Sequence, residues 1–264
     1  MNILDRPSPN FNDRAEEAAI DLLLLHYTDM KTAREALDRL TDPAAKVSSH
    51  YLLDERGAIF RLVPEEKRAW HAGASYWAGE TDINSCSIGI EIANPGHTCG
   101  YVDFPDVQIT ALEELCHGIL VRHPIPPSRV LAHSDVAPGR KKDPGELFPW
   151  ARLAANGIGV WHHRRIVAPP HMGDGDIAHL LERLEAIGYL GAPASEEAAR
   201  DVVTAFQRHW LPQAIGTPGE GRPTAATVSA ASEIASAMRR ANIEYQQVNP
   251  NAKRRTRGHG EQGA

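Results

Sequence analysis

His133, Lys141 and Asp143 fall within eleven positions of one another in residues 131–150, LAHSDVAPGRKKDPGELFPW. Pro138, Gly139, Pro144 and Gly145 forbid one continuous helix there, so the three side chains belong to a structured loop. An imidazole and a carboxylate on one loop suit a divalent metal, and zinc accepts nitrogen and oxygen ligands in a roughly tetrahedral shell. Two ligands do not make a site. A third has to come from another part of the chain.

His26 is the candidate. Residues 19–27, AIDLLLLHY, form a short apolar run that predicts a buried strand, with Thr28-Asp29 as the turn or cap that follows. Alternation puts Leu22, Leu24 and His26 on one face and Leu23 and Leu25 on the other. His26 stands at the strand's end, where binding groups cluster on α/β sheets. Taken alone, a histidine closing an apolar strand is more often a hydrogen-bonded core residue. A second strand, residues 88–93 (IGIEIA), points Ile88, Ile90 and Ile92 one way and Gly89, Glu91 and Ala93 the other. An acid in that setting is solvated on the wet face of a sheet, paired, or functional. Residues 69–78, AWHAGASYWA, follow neither period, so Trp70, His71, Tyr76 and Trp77 sit on a loop, either lining a ligand groove or packing.

The elements that must position these groups are legible from pattern. Residues 32–40 fit a helix capped by Thr32 or Asp29. Residues 50–53 and 58–63 form an antiparallel hairpin across Asp54-Glu55-Arg56-Gly57. Residues 107–122 are a regular amphipathic helix, with Ile109, Leu112, Leu115, Cys116, Ile119 and Leu120 inward and Glu113, Glu114 and His117 outward. Residues 129–132 make a short strand delivering His133, and residues 146–156 a helix stopped by Gly157. His117 and His123 are assigned to surface or helix-end roles. Residues 157–175 read as a linker or wrapping arm; its His162-His163 pair diverges on most backbones and is not taken as a ligand pair. Residues 177–187, 196–210 and 224–241 follow as three helices, with disorder expected from Asn249.

With 264 residues, 42% hydrophobic content and a net charge of −6, the chain can bury one good-sized core and a second small one. Mild acidity gives no reason to propose nucleic acid, and the basic cluster at Lys253-Arg254-Arg255 and Arg257 reads as a solvated end. Asp5, Arg6 and Pro7 interrupt what a secretory segment would need, and no run approaches the ~20 apolar residues of a membrane span. Cys86, Cys99 and Cys116 are odd in number and lack CxxC spacing. A cytoplasmic protein with reduced thiols is the expectation.

Between residues 22 and 159 the chain resembles the type 2 N-acetylmuramoyl-L-alanine amidases, whose zinc amidase fold is shared with bacteriophage T7 lysozyme and peptidoglycan recognition proteins. The resemblance rests on LLLLHYT, VSSHYLLDERGAIFRLVPEEKRAWHAG, NSCSIGIEI and HSDVAPGRKKDPGELFPW, in the family's order. It is closest to the branch acting on anhydromuropeptides. It implies an α/β fold, a mixed central β-sheet flanked by helices, plus a small all-α C-terminal domain. Gly188-Tyr189 and Ala205-Phe206-Gln207-Arg208 are similar to a three-helix peptidoglycan-binding module. The implied layout is a catalytic domain over 1–159, a linker over 160–175, the three-helix domain over 176–245 and a disordered tail over 246–264. The resemblance further implies Zn2+ on His26, His133 and Asp143, Glu91 as catalytic acid/base, and Lys141 stabilising the oxyanion. His71 and Trp70 are expected to touch substrate; Lys142 does not occupy the family position, and His50 matches a recurring non-ligand histidine. The implied activity is hydrolysis of the amide between (anhydro-)N-acetylmuramic acid and L-alanine in peptidoglycan fragments during cell-wall recycling, by a monomer. A phage-type endolysin acting on intact peptidoglycan and a non-catalytic peptidoglycan sensor are the alternatives.

Overall fold

The computed structural model describes residues 2–162, 166 and 175–250. In chain order the elements are β1 (Ile3–Asp5), β2 (Phe11–Asp13), β3 (Leu22–Tyr27), α1 (Ala33–Thr41), β4 (Tyr51–Leu53), β5 (Ile59–Arg61), β6 (Lys67–Ala69), α2 (Ile83–Cys86), β7 (Ser87–Ile92), α3 (Gly96–Cys99), α4 (Asp106–Arg122), β8 (Val130–Ala132), α5 (His133–Val136) and α6 (Trp150–Ala155). Then come α7 (Ile177–Glu185), α8 (Glu196–Trp210) and α9 (Ala225–Val248).

Six strands form a mixed sheet in the order β1-β5-β4-β7-β3-β8, and β2 pairs with β6 in a separate antiparallel ribbon. Strand β3 lies parallel to both β7 and β8, and β4 runs parallel to β7. A strand with helices over both faces has no wet side, so its sequence reads as a continuous apolar run. That accounts for Leu22-Leu23-Leu24-Leu25, each fully buried. The β4–β5 hairpin turns as expected at Gly57, whose φ of 82° lies in the left-handed region. The short β1 and the β2–β6 ribbon carry no periodic signal and were not anticipated.

The two faces of the sheet have different covers. Leu23 and Leu25, with Ile88, Ile90 and Ile92, pack under Ile109, Leu112, Leu115, Cys116 and Ile119 of α4 and under Trp150 and Leu153 of α6. On the other face, Leu22, Leu24 and Leu131 join one contiguous cluster with Leu180, Leu184, Val203, Phe206, Trp210 and Ile234 of the C-terminal helices. The three helices therefore share the sheet's core, and Val160, Trp161 and Ile166 of the expected linker pack against it. Farther along that face, Ala33, Ala36 and Leu40 of α1 cover Leu52. Between α1 and the C-terminal helices the strand ends carry His26 and Glu91.

Thr32 is the N-cap of α1, accepting from the Glu35 amide. Three expected boundaries are corrected. Strand β3 begins at Leu22, three residues after the expected start. The helix expected from 146 begins at Trp150: Pro149 precedes its first turn and disfavours helical backbone at Phe148. Helix α9 runs on through Val248, past both the expected helix end at 241 and the tail boundary at 246. The rest of that tail, 251–264, and most of the linker lie outside the described residues. Among the described residues no helix is long and apolar enough to cross a membrane.

Candidate metal centre and cleft

Parallel register sets His26 beside Glu91 on adjacent strands, and the same register sets Leu52 on Glu91's other side. Strand β8, next to β3, ends at Ala132 and hands the chain to His133 at the first position of α5. The Asp135 carboxylate accepts from the Ala132 amide at 2.8 Å, holding this turn at the strand's end. The loop that follows returns over it: the Ser134 amide donates to the Asp143 carbonyl at 3.0 Å and Lys141 N–H to Ala137 O at 3.0 Å. Asp143 is thereby brought above the sheet beside both histidines.

The three expected ligands do converge. His26 Nδ1 lies 2.9 Å from His133 Nδ1 and 3.0 Å from Asp143 Oδ2, and His133 Nδ1 lies 2.9 Å from the same oxygen. All three residues are buried. His133 Nε2 faces the Ala72 carbonyl at 2.9 Å, an acceptor, so that nitrogen carries the proton and Nδ1 presents a lone pair inward. His26 turns its Nε2 to His71 Nδ1 at 3.1 Å. Two imidazole nitrogens and a carboxylate oxygen thus crowd together, an arrangement that a cation at their centre relieves. Zinc bonds of about 2.0–2.1 Å in a tetrahedral shell place ligand atoms roughly 3.3 Å apart, close to the triangle present here. Burial and the neighbouring His133 lower His26 to about 4, keeping it neutral as a ligand must be. Burial alone pushes Asp143 up, but the two imidazoles packed at its oxygen prevail and hold it well below the usual carboxylate range.

Glu91 rises beside this triangle at the floor of a cleft of about 460 Å³, a volume suited to a small ligand. Its Oε2 is buried with no hydrogen-bond partner among the described residues. Burial and then Asp143 push its pKa well above the ordinary value, with Lys141 opposing. Lys141 lines the same cleft, together with Arg39 and Lys142. Trp70 also lines it, fixed by Nε1 donating to Asn12 Oδ1 at 2.6 Å. Trp77 is instead buried against Tyr189, so of the two alternatives for the loop's tryptophans each takes one. His71 borders the cleft, but both its ring nitrogens are engaged, one with His26 and one with Ser87. His50 stands behind, buried, its Nδ1 accepting from the Gly89 amide. His162 is not in the metal cluster, and His163 lies outside the described residues.

Several functional neighbours were missed from sequence. Arg140 donates to the carbonyls of Ala72 and Ala74, tying the Trp70 loop to the metal loop. Asp135 receives, besides the Ala132 amide, Tyr189 Oη–H at 2.5 Å and His209 Nδ1–H at 2.6 Å from the C-terminal helical layer. His97 lines the far wall, bonded to Tyr27 and Glu146. Asp135 and Arg140 stand in the stretch already singled out; His97 and His209 have no local signal, because their partners are distant in sequence.

A family model described as N-acetylmuramoyl-L-alanine amidase matches residues 16–146. The N-acetylmuramoyl-L-alanine amidase AmiD of Escherichia coli is 42% identical over 212 residues, covering 73% of this chain and 75% of the relative. The 1,6-anhydro-N-acetylmuramyl-L-alanine amidase AmpD of Citrobacter freundii is 34% identical over 166 residues, 56% of this chain and 87% of the relative. Among solved structures, E. coli AmiD in complex with the substrate anhydro-N-acetylmuramic acid-L-Ala-D-γ-Glu-L-Lys superposes with a TM-score of 0.75 at 35% identity, covering 86% of this chain and 97% of that one. AmpDh3 of Pseudomonas aeruginosa gives a TM-score of 0.71 at 32% identity, covering 87% and 97%. The matched segment holds His26, Glu91, His133, Lys141 and Asp143, and on sequence, fold and site the chain belongs to the N-acetylmuramoyl-L-alanine amidase family.

Proposed function

We propose that the chain hydrolyses the amide joining the lactyl group of N-acetylmuramic acid, in its anhydro form, to L-alanine in peptidoglycan fragments, with zinc held by His26, His133 and Asp143. The observation that carries this is the buried triangle of two imidazole nitrogens and one carboxylate oxygen with Glu91 beside it. The relatives named for anhydromuramyl substrates, and the AmiD complex with such a peptide, support the substrate class.

When bound, zinc supplies Lewis-acid chemistry, polarising the carbonyl and acidifying water. The chain's own groups do the rest. The Glu91 carboxylate, favoured over its protonated form by the positive charge of a bound cation, takes the proton of the attacking water and passes it to the departing alanine amine. Lys141 sets its positive charge where negative charge grows on the carbonyl oxygen, and a stabiliser of that kind is typically worth about 3–4 kcal/mol. Trp70 offers an aromatic face to the substrate at the cleft wall.

The test is mass spectrometry of products from a defined anhydro-disaccharide peptide. Release of the intact peptide, with loss of activity in EDTA and recovery on adding zinc, is expected. Glu91→Ala should keep its zinc and cleave at least about a hundredfold more slowly. Unchanged turnover refutes the role given to Glu91, and clearing of intact sacculi in preference to the soluble fragment moves the substrate to the polymer.

A further inference from the structure

A line of polar groups runs away from the cleft behind His26. His26 Nε2 is 3.1 Å from His71 Nδ1, His71 Nε2 is 3.2 Å from Ser87 Oγ, and Ser87 Oγ is 2.5 Å from the carbonyl of Ile83. The last member can only accept, so it fixes the direction of every bond before it. Ser87 has one hydroxyl proton and gives it to Ile83 O. Its oxygen then accepts from His71, which carries its proton on Nε2 and shows a lone pair at Nδ1. That lone pair takes the Nε2 proton of His26. His26 is left with a bare Nδ1 aimed at His133 and Asp143, the form in which imidazole binds a metal.

The backbone of the same turn serves the second histidine. The amides of His71 and Ala72 both donate to Asn84 Oδ1, at 3.0 and 2.8 Å, and the Ala72 carbonyl so held accepts from His133 Nε2. One dipeptide, pinned by the buried Asn84, therefore supplies the outer partner of both imidazoles. Gly89 completes the seat. A Cβ there would stand 2.5 Å from His71 Cγ, so only glycine on this central strand lets the ring lie where it does.

We infer that His71, oriented by Ser87 and seated over Gly89, is a positioning residue that sets the tautomer and ring orientation of His26, with Asn84 doing the same for His133 through Ala72. This replaces the substrate contact expected of His71, whose two nitrogens are both committed. The inference rests on His26 being a metal ligand, as proposed above. Outer partners of metal-bound histidines typically change metal affinity 10- to 100-fold when removed.

The experiment measures zinc affinity of the full chain by competition with a chromogenic chelator, and kcat and KM at saturating zinc. His71→Phe should raise the zinc Kd about 10- to 100-fold. His71→Gln, which keeps an oxygen for the His26 proton, should recover most of that loss. Ser87→Ala, a smaller change that leaves the ring in place but frees its tautomer, should weaken zinc binding less and alter the visible spectrum of the cobalt-substituted protein. Wild-type zinc affinity in His71→Phe, with only KM raised, overturns the inference and returns His71 to the substrate, while the amidase reading stands. If the wild type itself takes up no zinc, both fall.

Discussion

Glu91→Gln separates what this carboxylate does for the reaction from what it does to the fold. Its Oε2 is buried without a hydrogen-bond partner among the described residues, and burial and Asp143 both disfavour its charge. Leaving a buried polar group unsatisfied costs about 1–3 kcal/mol. Glutamine keeps the size and loses the charge, but its amide still has polar atoms to satisfy, so the gain belongs in the lower part of that range, about 1–2 kcal/mol. For a chain of this length that is about 2–8 °C in melting temperature. The pH dependence has a definite sign. Above the ordinary value of 4.5 the folded protein holds a proton that the unfolded chain has released, so the stability owed to Glu91 falls as pH rises from there through its raised pKa. The advantage of Glu91→Gln should therefore grow from pH 4.5 to pH 8, while turnover drops about 10²- to 10⁴-fold. Thermal melts of the EDTA-treated proteins at three pH values, with product release at saturating zinc, make the comparison. A variant that melts at or below the wild type at pH 8, or a gain that does not change with pH, refutes the reasoning.

The metal-free protein should also be acid-labile. Burial lowers His26 to about 4 and His50 to about 3, and drives His71 well below its ordinary value. The unfolded chain takes three protons at these sites below about pH 6.5; the proton kept by folded Glu91 offsets one, so stability should fall by about 2–3 kcal/mol per pH unit near pH 5.5. Equal urea midpoints at pH 7 and 5.5 would contradict this. Tyr189→Phe removes one hydrogen bond to the buried Asp135 carboxylate and keeps the ring, so urea titration should show a loss of about 1.5–3 kcal/mol. Because the sheet and the C-terminal helices share one core, we expect a single cooperative transition in the same titration; two separated transitions would show independent domains. Lys141→Met should retain zinc and lose about 10²- to 10³-fold in kcat, and full activity would remove Lys141 from the oxyanion.

Much of the fold was legible because its signals are local. Four consecutive leucines ending in His26, the alternation around Glu91 and the Pro and Gly residues flanking Asp143 each report on their own segment. They placed β3, β7, α4 and the metal loop to within a few residues. Boundaries failed where a neighbour decides. Pro149 moved the start of α6, and α9 runs past the point where its apolar spacing fades, with Asn242 accepting from Ser128 and Ile243 and Val248 exposed. The ribbon of β2 and β6 has no periodicity at all; it exists because residues 11–13 find 67–69 across the fold.

The sequence by itself determined the ligand types, their order along the chain and the face of the strand on which His26 and Glu91 stand, since residue identity and a period of two are local properties. Tertiary structure decided the rest. Only the parallel register of β3 with β7 and β8 makes His26 a neighbour of both Glu91 and His133, and only packing sets His71, Ser87 and Ala72 behind the ligands and Tyr189 and His209 on Asp135. Those pairings join residues 16 to 107 positions apart in the chain, and proximity of that kind is set by which apolar faces are buried against each other.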